Sequence, residues 1–288
     1  MEEGGGRAYS TIILGESQDF CRLYNEAARS SVTNKDQKGI SVLLCDKQTD
    51  GGFLVHHFLS FYLKGGCKVC FLGLLQSFSH YSLVAQKLGV NLSAAREKGQ
   101  LVFLEGLCSS LDLLLDDQQD STLHKSSPLQ FLSSPSASLR SLYKFVCTSV
   151  QKTSETAWKF PVLIIDDLSV LLSLGVTTKD ILNFMHYCRA TLCSKLKGNL
   201  VALAHNTEDL EDEENDFVVK SLSYQSHLIL QAEGLATGYC KDIHGELKII
   251  WRSLSPVKTE KNVTKIFQYK IQDKNVAFFA RGTSSAVL

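Results

Sequence analysis

The sequence lacks the features that would place it outside the ordinary globular proteins. It has only four prolines in 288 residues and no internal repeat, which excludes collagen-like and low-complexity chains. Basic and acidic residues balance at 30 each, so no global positive field draws the chain onto nucleic acid or an anionic membrane. No apolar run reaches the roughly 18 residues of a spanning helix, and the acidic start Met1-Glu2-Glu3 lacks the basic region of a secretory signal. We therefore expect a globular intracellular protein with no membrane partner.

A disulfide framework and a metal site are also poorly supported. The nine cysteines are odd in number and lie in apolar surroundings, as expected for small buried side chains. The motif CKVC at 67–70 is not followed by a second pair of ligands at zinc-site spacing. It opens a strand-like run in which positions three apart point to opposite faces, so the two sulfurs should diverge. We expect no metal and no cofactor; a thiol redox protein stays an alternative, tested by Cys67→Ser and Cys70→Ser.

Apolar runs alternate with helix-like segments through the first two thirds of the chain. The predicted strands are 40–45, 67–75, 101–107, 161–167 and 199–205, and the predicted helices are 53–63, 78–89, 138–150 and 180–198. This alternation indicates βαβ units and a parallel sheet covered on both sides. Later strand-like runs at 226–234, 238–242, 246–252, 267–272 and 275–281 are joined by short turns. We predict an α/β fold whose mostly parallel sheet is extended by C-terminal antiparallel hairpins.

The domain organisation follows from where this pattern begins. Residues 1–38 are polar and glycine-rich at the start, and we predict a weakly ordered N-terminal arm. Residues 39–288 are predicted to form a single domain. Within it, residues 116–138 carry Asp, Gln, Ser and two prolines, which is typical of an exposed excursion.

The turn after the first predicted strand is where a phosphate-binding loop would lie. Laid on Asp46 to Phe53, the pattern GxxxxGK[ST] matches only at Gly51. The lysine position is Gly52 and the hydroxyl position is Phe53, so nothing there reaches the terminal phosphates or holds Mg²⁺. Asp46 and Asp50 add like charge, which costs about 1 kcal/mol per phosphate contact in water and more when desolvated. We favour the alternative interpretation, a tight Asp-Gly-Gly turn between strand and helix.

A second acidic pair follows the most apolar strand. Asp166 and Asp167 end the run at 161–167, which is how a Walker-B aspartate is presented at the carboxyl end of a parallel strand. Asp167 also stands just before LSVLLSL, where it would cap a helix. Because the lysine and hydroxyl of the loop are missing, we favour capping or an interface role for this degenerate Walker-B-like pair.

Six segments of the chain resemble a known family closely. They are CDKQTDGGFLVHHFLSFYLKGGCKVCFLGLLQSFSHYSLVAQKLG (45–89), REKGQLVFLEGL (96–107), PVLIIDDLSVLLSLG (161–175), EDEEND (211–216), SHLILQAEGLATG (226–238) and YKIQDKNVAFFARG (269–282). They resemble the family of the sixth subunit of the Elongator complex, from about Ile40 to Leu288. The resemblance implies a RecA-like three-layer fold whose Walker motifs are degenerate.

The resemblance also implies a function. Members of this family are non-catalytic and form a heterohexameric ring with the two other RecA-like Elongator subunits, two copies of each. The ring binds tRNA and supports the catalytic subcomplex, which makes 5-carboxymethyl-type modifications at the wobble uridine. We expect a cytoplasmic protein and leave a nuclear pool open. The rival from another class is a divergent recombinase-type ATPase, which the missing lysine and hydroxyl at positions 52 and 53 disfavour.

Aromatic and acidic clusters have two interpretations each. The helix at 53–63 carries Phe53, Phe58, Phe61 and Tyr62, which fit the core, our preferred interpretation, or an interface in the ring. The run from Glu208 to Asp216 has seven carboxylates and no basic residue. Such a block is typical of a solvated loop and would be an unfavourable contact for RNA.

A local excess of positive charge marks the C-terminal segment. Residues 241–281 hold nine Lys or Arg against four Asp or Glu, interleaved with aromatic residues. This composition is typical of a surface that contacts a phosphate backbone, and equally of an edge hairpin protected by lysines. The candidate nucleic-acid contacts are Lys248, Arg252, Lys258 and Lys261.

Overall fold

A computed structural model describes residues 39–106, 127–133, 138–151, 158–205, 213–238, 240–252 and 262–281. Several sequence predictions lie outside these residues: the arm at 1–38, most of the excursion at 116–138, the start of the acidic run at 208–212, and both Lys258 and Lys261.

The described residues form a mixed sheet of nine strands. The strands are β1 (Ser41–Lys47), β2 (Lys68–Gly73), β3 (Leu101–Glu105), β4 (Pro161–Ile165), β5 (Asn199–His205), β6 (Leu228–Glu233), β7 (Gly245–Trp251), β8 (Val263–Ile271) and β9 (Val276–Ala280). Their order is β3-β2-β4-β5-β1-β6-β7-β8-β9. Strands β1 to β6 pair in parallel, and β6 to β9 pair antiparallel. This arrangement confirms the predicted mostly parallel sheet with C-terminal antiparallel strands.

Helices cover both faces of the sheet. They are α1 (Gly52–Lys64), α2 (Phe78–Lys87), α3 (Leu92–Glu97), α4 (Arg140–Val150), α5 (Ser169–Ser173), α6 (Thr178–Arg189) and α7 (Glu213–Gln225), with a 3₁₀ turn at Gln130–Ser133. One apolar core joins the sheet to α1, α2 and α3, and a second joins the opposite face to α4, α5, α6 and α7. The all-buried pattern of β4 follows because a strand between two helical layers has no solvent face.

The aromatic residues of α1 mainly serve the core. Phe58 and Tyr62 are 0% and 1% exposed, whereas Phe53 and Phe61 are half-buried against the same core. This agrees with the core interpretation of the aromatic helix.

The end of α6 differs from its prediction. The α-helix ends at Arg189 and continues as a π-helical segment, Ala190–Lys195. Lys197, not Gly198, takes the left-handed conformation, with φ of 53°. A Cβ on Gly198 would lie 2.2 Å from the carbonyl oxygen of Pro161. Gly198 therefore allows the close approach to β4, and the predicted end of the helix at residue 198 is wrong, because the helical segment ends at Lys195.

Two further predictions are wrong in part. The predicted strand at 238–242 is not a strand at its described residues, 238 and 240–242. The acidic run was expected to be a loop throughout, but Glu213–Asp216 forms the first turn of α7. Acidic side chains are favourable in the first turn of a helix, and Asn215 in this turn is buried and bonded to the end of β5. Among the described residues, no helix has the length and apolarity needed to cross a membrane.

Candidate functional site at the carboxyl ends of the central strands

In the turn from β1 into α1, carboxylates of the chain itself accept hydrogen bonds from backbone N–H groups. Asp46 is 3% exposed, and its Oδ2 accepts a hydrogen bond from the backbone N–H of Gly51 at 2.8 Å. The N–H of Gly52 donates to Asp50 Oδ1 at 2.7 Å. In a phosphate loop, backbone N–H groups at such a turn bind the anion. Here two of them are satisfied by Asp46 and Asp50.

Phe53, the residue after Gly52, packs the turn against the C-terminal strands. The ring of Phe53 lies 4.9 Å from that of Tyr269 on β8. Tyr269 is fully buried, and its hydroxyl lies 3.2 Å from Thr49 Oγ1 in the turn. A Cβ on Gly245 would lie 2.7 Å from this hydroxyl, so glycine leaves the space that Tyr269 fills.

His205, at the end of β5, lies between two carboxylates. Its Nδ1 is 2.7 Å from Asp46 Oδ2 and its Nε2 is 3.3 Å from Asp167 Oδ2. Both carboxylates are 4% exposed and the imidazole is 30% exposed. The hydrogen bonds to Asp167 and Asp46 raise the pKa of His205 to about 10. His205 is therefore a cation at neutral pH, and we call this trio the charge lock.

The backbone around His205 ties three elements together. Its N–H donates to Ser169 Oγ at 3.0 Å, and its carbonyl oxygen accepts from the Asn215 side-chain amide. The N–H of Ser169 donates to Asp167 Oδ1 at 2.8 Å, an Asx turn that leads into α5; the N-cap residue of α5 is Leu168, so the predicted cap by Asp167 is wrong. The charge lock thus joins β5 to α5 and α7 as well as to β1.

Asp166 faces away from the charge lock and organises the corner after β2. Its carboxylate accepts hydrogen bonds from the N–H groups of Leu74, Leu75 and Gln76, at 2.8, 3.1 and 3.4 Å. The hydroxyl of Tyr81 donates to it at 3.1 Å. Burial raises the pKa of Asp166 to about 6, against the opposing effect of these hydrogen bonds. Its acceptor oxygens are used within the fold.

The arrangement leaves little that a nucleotide needs. An entering phosphate would meet Asp46 and Asp50, which already use the turn N–H groups, and would be repelled by them. His205 is already shared by two carboxylates. Within the described parts of the chain, no group of three or more His, Cys, Asp or Glu side chains is arranged to hold a metal ion.

His205 is not among the site residues predicted from the sequence. A signal was present in its position, because His205 lies at the carboxyl end of an apolar run, as Asp46 and Asp167 do. Ends of parallel strands meet at one edge of a sheet. The strand order β4-β5-β1 then places His205 beside both acidic ends.

The two thiols of CKVC point to opposite sides of the sheet. Cys67 belongs to the core under α1, and Cys70 to the core under α4 and α6. Burial raises the pKa of Cys70 to about 12, so its thiolate is scarce at neutral pH. A CxxC redox pair is therefore wrong for this chain.

The candidate nucleic-acid residues are only partly brought together. Lys248 and Arg252 lie on β7 and just after it, at alternating positions that share one face. Arg252 donates to the carbonyl of Ser223 at 2.7 Å, and its guanidinium lies 5.1 Å from the ring centroid of Tyr224. Lys270 and Arg281 form ion pairs with Asp242 and Glu246. Part of the positive charge of this segment is thus neutralised within the fold.

Solved structures with a similar fold come from an archaeon. A KaiC-like protein of Pyrococcus horikoshii superposes with a TM-score of 0.52 at 12% identity, covering 85% of this chain and 91% of that one. An uncharacterised protein of the same organism gives 0.53 at 13% identity, covering 88% and 96%. The fold is that of a RecA-like α/β domain, and in the turn after β1 two backbone N–H groups donate to the chain's own carboxylates.

Sequence comparison identifies the family. The family model for Elongation complex protein 6 matches residues 24–273. Elongator complex protein 6 of Xenopus laevis is 61% identical over 87% of this chain and 93% of its own length. The Mus musculus and Homo sapiens proteins of that name are 56% and 55% identical, each over 90% of this chain and 97% of its own. The chain belongs to the Elongation complex protein 6 family, and the match begins before Ile40, inside the predicted N-terminal arm.

Proposed function

We propose that this chain is a non-catalytic subunit of the Elongator complex that acts in wobble-uridine modification of tRNA. It forms a heterohexameric ring with the two other RecA-like Elongator subunits, two copies of each. The ring binds tRNA and supports the catalytic subcomplex, which carries out the 5-carboxymethyl-type chemistry. It works in the cytoplasm.

The observation that carries the non-catalytic part is the occupied turn after β1. Backbone N–H groups of Gly51 and Gly52 donate to Asp46 and Asp50, at 2.8 and 2.7 Å. His205 supplies a fixed internal cation between Asp46 and Asp167. Two backbone N–H groups of the turn and the nearby cation are thus already bonded to the chain's own carboxylates, which supports a turn without phosphate chemistry.

The same turn argues against the rival ATPase. Gly52 occupies the lysine position, and a Cβ there would lie 2.9 Å from Asp50 Oδ1. Phe53 occupies the hydroxyl position and packs on Tyr269. A divergent recombinase-type enzyme would need a different turn conformation in addition to the missing side chains.

Membership of the family supports the assembly part of the proposal. The relatives are named as proteins of the Elongator complex. A RecA-like domain without its own phosphate chemistry would be a structural subunit of such a complex. The function then belongs to the whole particle.

Native mass spectrometry of the gently purified, tagged chain tests the proposal. The expected particle contains six RecA-like chains of three kinds, and the free chain shows no ATP binding by isothermal titration. A monomer, or a homo-oligomer that carries bound ATP, would overturn the proposal and restore the enzyme hypothesis.

A further inference from the structure

Helix α7 presents an exposed surface that the charge lock does not use. Its inner side buries Val218, Val219 and Leu222 in the core. Its outer side carries Glu213, Phe217, Lys220 and Tyr224, which lie within about 60° of one another around the helix axis at 100° per residue. We call these four residues the α7 surface.

Two large aromatic side chains of this surface lie in solvent. Phe217 is 55% exposed and Tyr224 is 70% exposed. Exposed single apolar residues are ordinary, but two aromatic residues two turns apart on one helix face are the kind of pair that anchors a protein contact.

Tyr224 is held in position before any partner arrives. The guanidinium of Arg252 lies 5.1 Å from its ring centroid and also donates to the carbonyl of Ser223, the preceding residue. A side chain that is already ordered loses less conformational entropy when it binds. The α7 surface is therefore pre-organised at its C-terminal end.

The charge around the surface selects the partner. The run from Glu208 to Asp216 has seven carboxylates and no basic residue, and Glu213 and Glu214 are exposed at its end. The ammonium of Lys220 pairs with Asp216 one turn away, so it adds little to the outward charge. An RNA backbone or an anionic membrane would be repelled at the acidic N-terminal end of this surface, whereas a basic protein surface would be attracted there.

We propose that the α7 surface is a docking site for a basic, apolar protein surface on a neighbouring subunit of the Elongator ring. Phe217 and Tyr224 supply the buried anchors, and the acidic start of α7 supplies the steering charge. This inference rests on the proposed function, because it takes the partner to be a ring neighbour.

The experiment uses the full chain co-expressed with the two other RecA-like Elongator subunits. Assembly is measured by native mass spectrometry over a dilution series and a salt series. One variant combines Phe217→Ser with Tyr224→Ser, and another combines Glu213→Lys with Glu214→Lys. The matched control is Leu83→Ser, because Leu83 is 66% exposed on α2 in the opposite helical layer.

The aromatic variant should weaken assembly about tenfold or more, as truncation of an interface anchor does. The charge variant should weaken assembly most at low salt, since its effect is electrostatic. Leu83→Ser should assemble as the wild type does. The altered side chains are exposed, so thermal unfolding of each free variant should match that of the wild-type chain.

The outcomes separate the two claims. If the wild type assembles and both α7 variants assemble equally well, the docking inference is overturned, whereas the proposed ring assembly is retained. If the aromatic variant keeps the ring intact but loses tRNA, the surface binds nucleic acid and the protein-docking inference is wrong. If the wild type itself does not assemble with these subunits, the proposed function fails and the inference fails with it.

Discussion

His205 and Asp46 are direct neighbours across two parallel strands. Their Cα atoms are register partners in the β5–β1 pair, and His205 Nδ1 lies 2.7 Å from Asp46 Oδ2. The same oxygen accepts the N–H of Gly51 at 2.8 Å. One carboxylate oxygen thus links the cation on β5 to the turn that begins α1.

Replacement of His205 should destabilise the fold. His205→Ala leaves Asp46 and Asp167 close together and without their shared cation, and removing one partner of a buried ion pair costs several kcal/mol. The imidazole is 30% exposed, so we expect a loss of about 2–4 kcal/mol in the free energy of unfolding. Urea denaturation measures it. His186→Ala is the control, because His186 is exposed on α6; equal losses in the two variants would contradict the charge lock.

The stabilisation from His205 should depend on pH. Its pKa is raised from the ordinary value of 6.5 to about 10 in the folded chain. A raised folded-state pKa means that the contribution is full below about pH 6.5 and is lost as pH rises through about 10. The stability difference between wild type and His205→Ala should therefore shrink between pH 7 and pH 10. A difference that stays constant over this range would show that His205 is neutral.

Replacement of Asp166 by alanine should lower the stability of the fold more than replacement by asparagine. Asp166→Ala orphans the N–H groups of Leu74 and Leu75 and the hydroxyl of Tyr81, for a loss of about 2–4 kcal/mol. Asp166→Asn keeps one acceptor and should lose less.

Burial raises the pKa of Asp166 to about 6, so its ionisation costs stability as pH rises from about 4 through 6. The stability advantage of wild type over Asp166→Asn should fall across that interval and level off above it, as followed by thermal unfolding.

Restoring the missing side chains should not restore nucleotide binding. In Gly52→Lys, alone or with Phe53→Thr, the N–H of Gly51 still donates to Asp46, and two carboxylates still face the turn. Phe53→Thr also loses its packing against Tyr269, which should cost about 2 kcal/mol. Isothermal titration with Mg-ATP should show no binding by either variant. Binding by Gly52→Lys alone would show that only the lysine had been lost.

The basic C-terminal segment, residues 241–281, should contribute to tRNA binding. Lys248→Ala, Lys258→Ala and Lys261→Ala together should weaken tRNA binding by the assembled ring and reduce the slope of log K against log salt by about 0.7–0.9 per lost phosphate contact. Arg252→Ala belongs in a separate variant, because Arg252 also holds Ser223 and Tyr224. Lys270→Ala is the control, since Lys270 pairs with Asp242 at 2.9 Å. Unchanged affinity and slope in the triple variant would remove this segment from the tRNA contact.

Local sequence patterns by themselves predicted the buried strands, the turn after the first strand and the directions of the CKVC thiols. Continuous apolar runs predicted the buried parallel strands, because a strand between two helical layers must be apolar on both faces. The missing lysine and hydroxyl at Gly52 and Phe53 predicted a turn without phosphate chemistry. The spacing of Cys67 and Cys70 predicted diverging thiols, because the side-chain period of a strand is two.

The tertiary structure decided what no local pattern contains. The order β4-β5-β1 places His205 between Asp46 and Asp167, which are 159 and 38 positions away along the chain. Asn215, in the first turn of α7, bonds to the carbonyl oxygen of His205 at the end of β5, 10 positions away. Gly198 is needed because Pro161 of a neighbouring strand passes within contact distance. Periodicity reports which face of an element is buried, and only the packing of distant elements determines which side chains meet there.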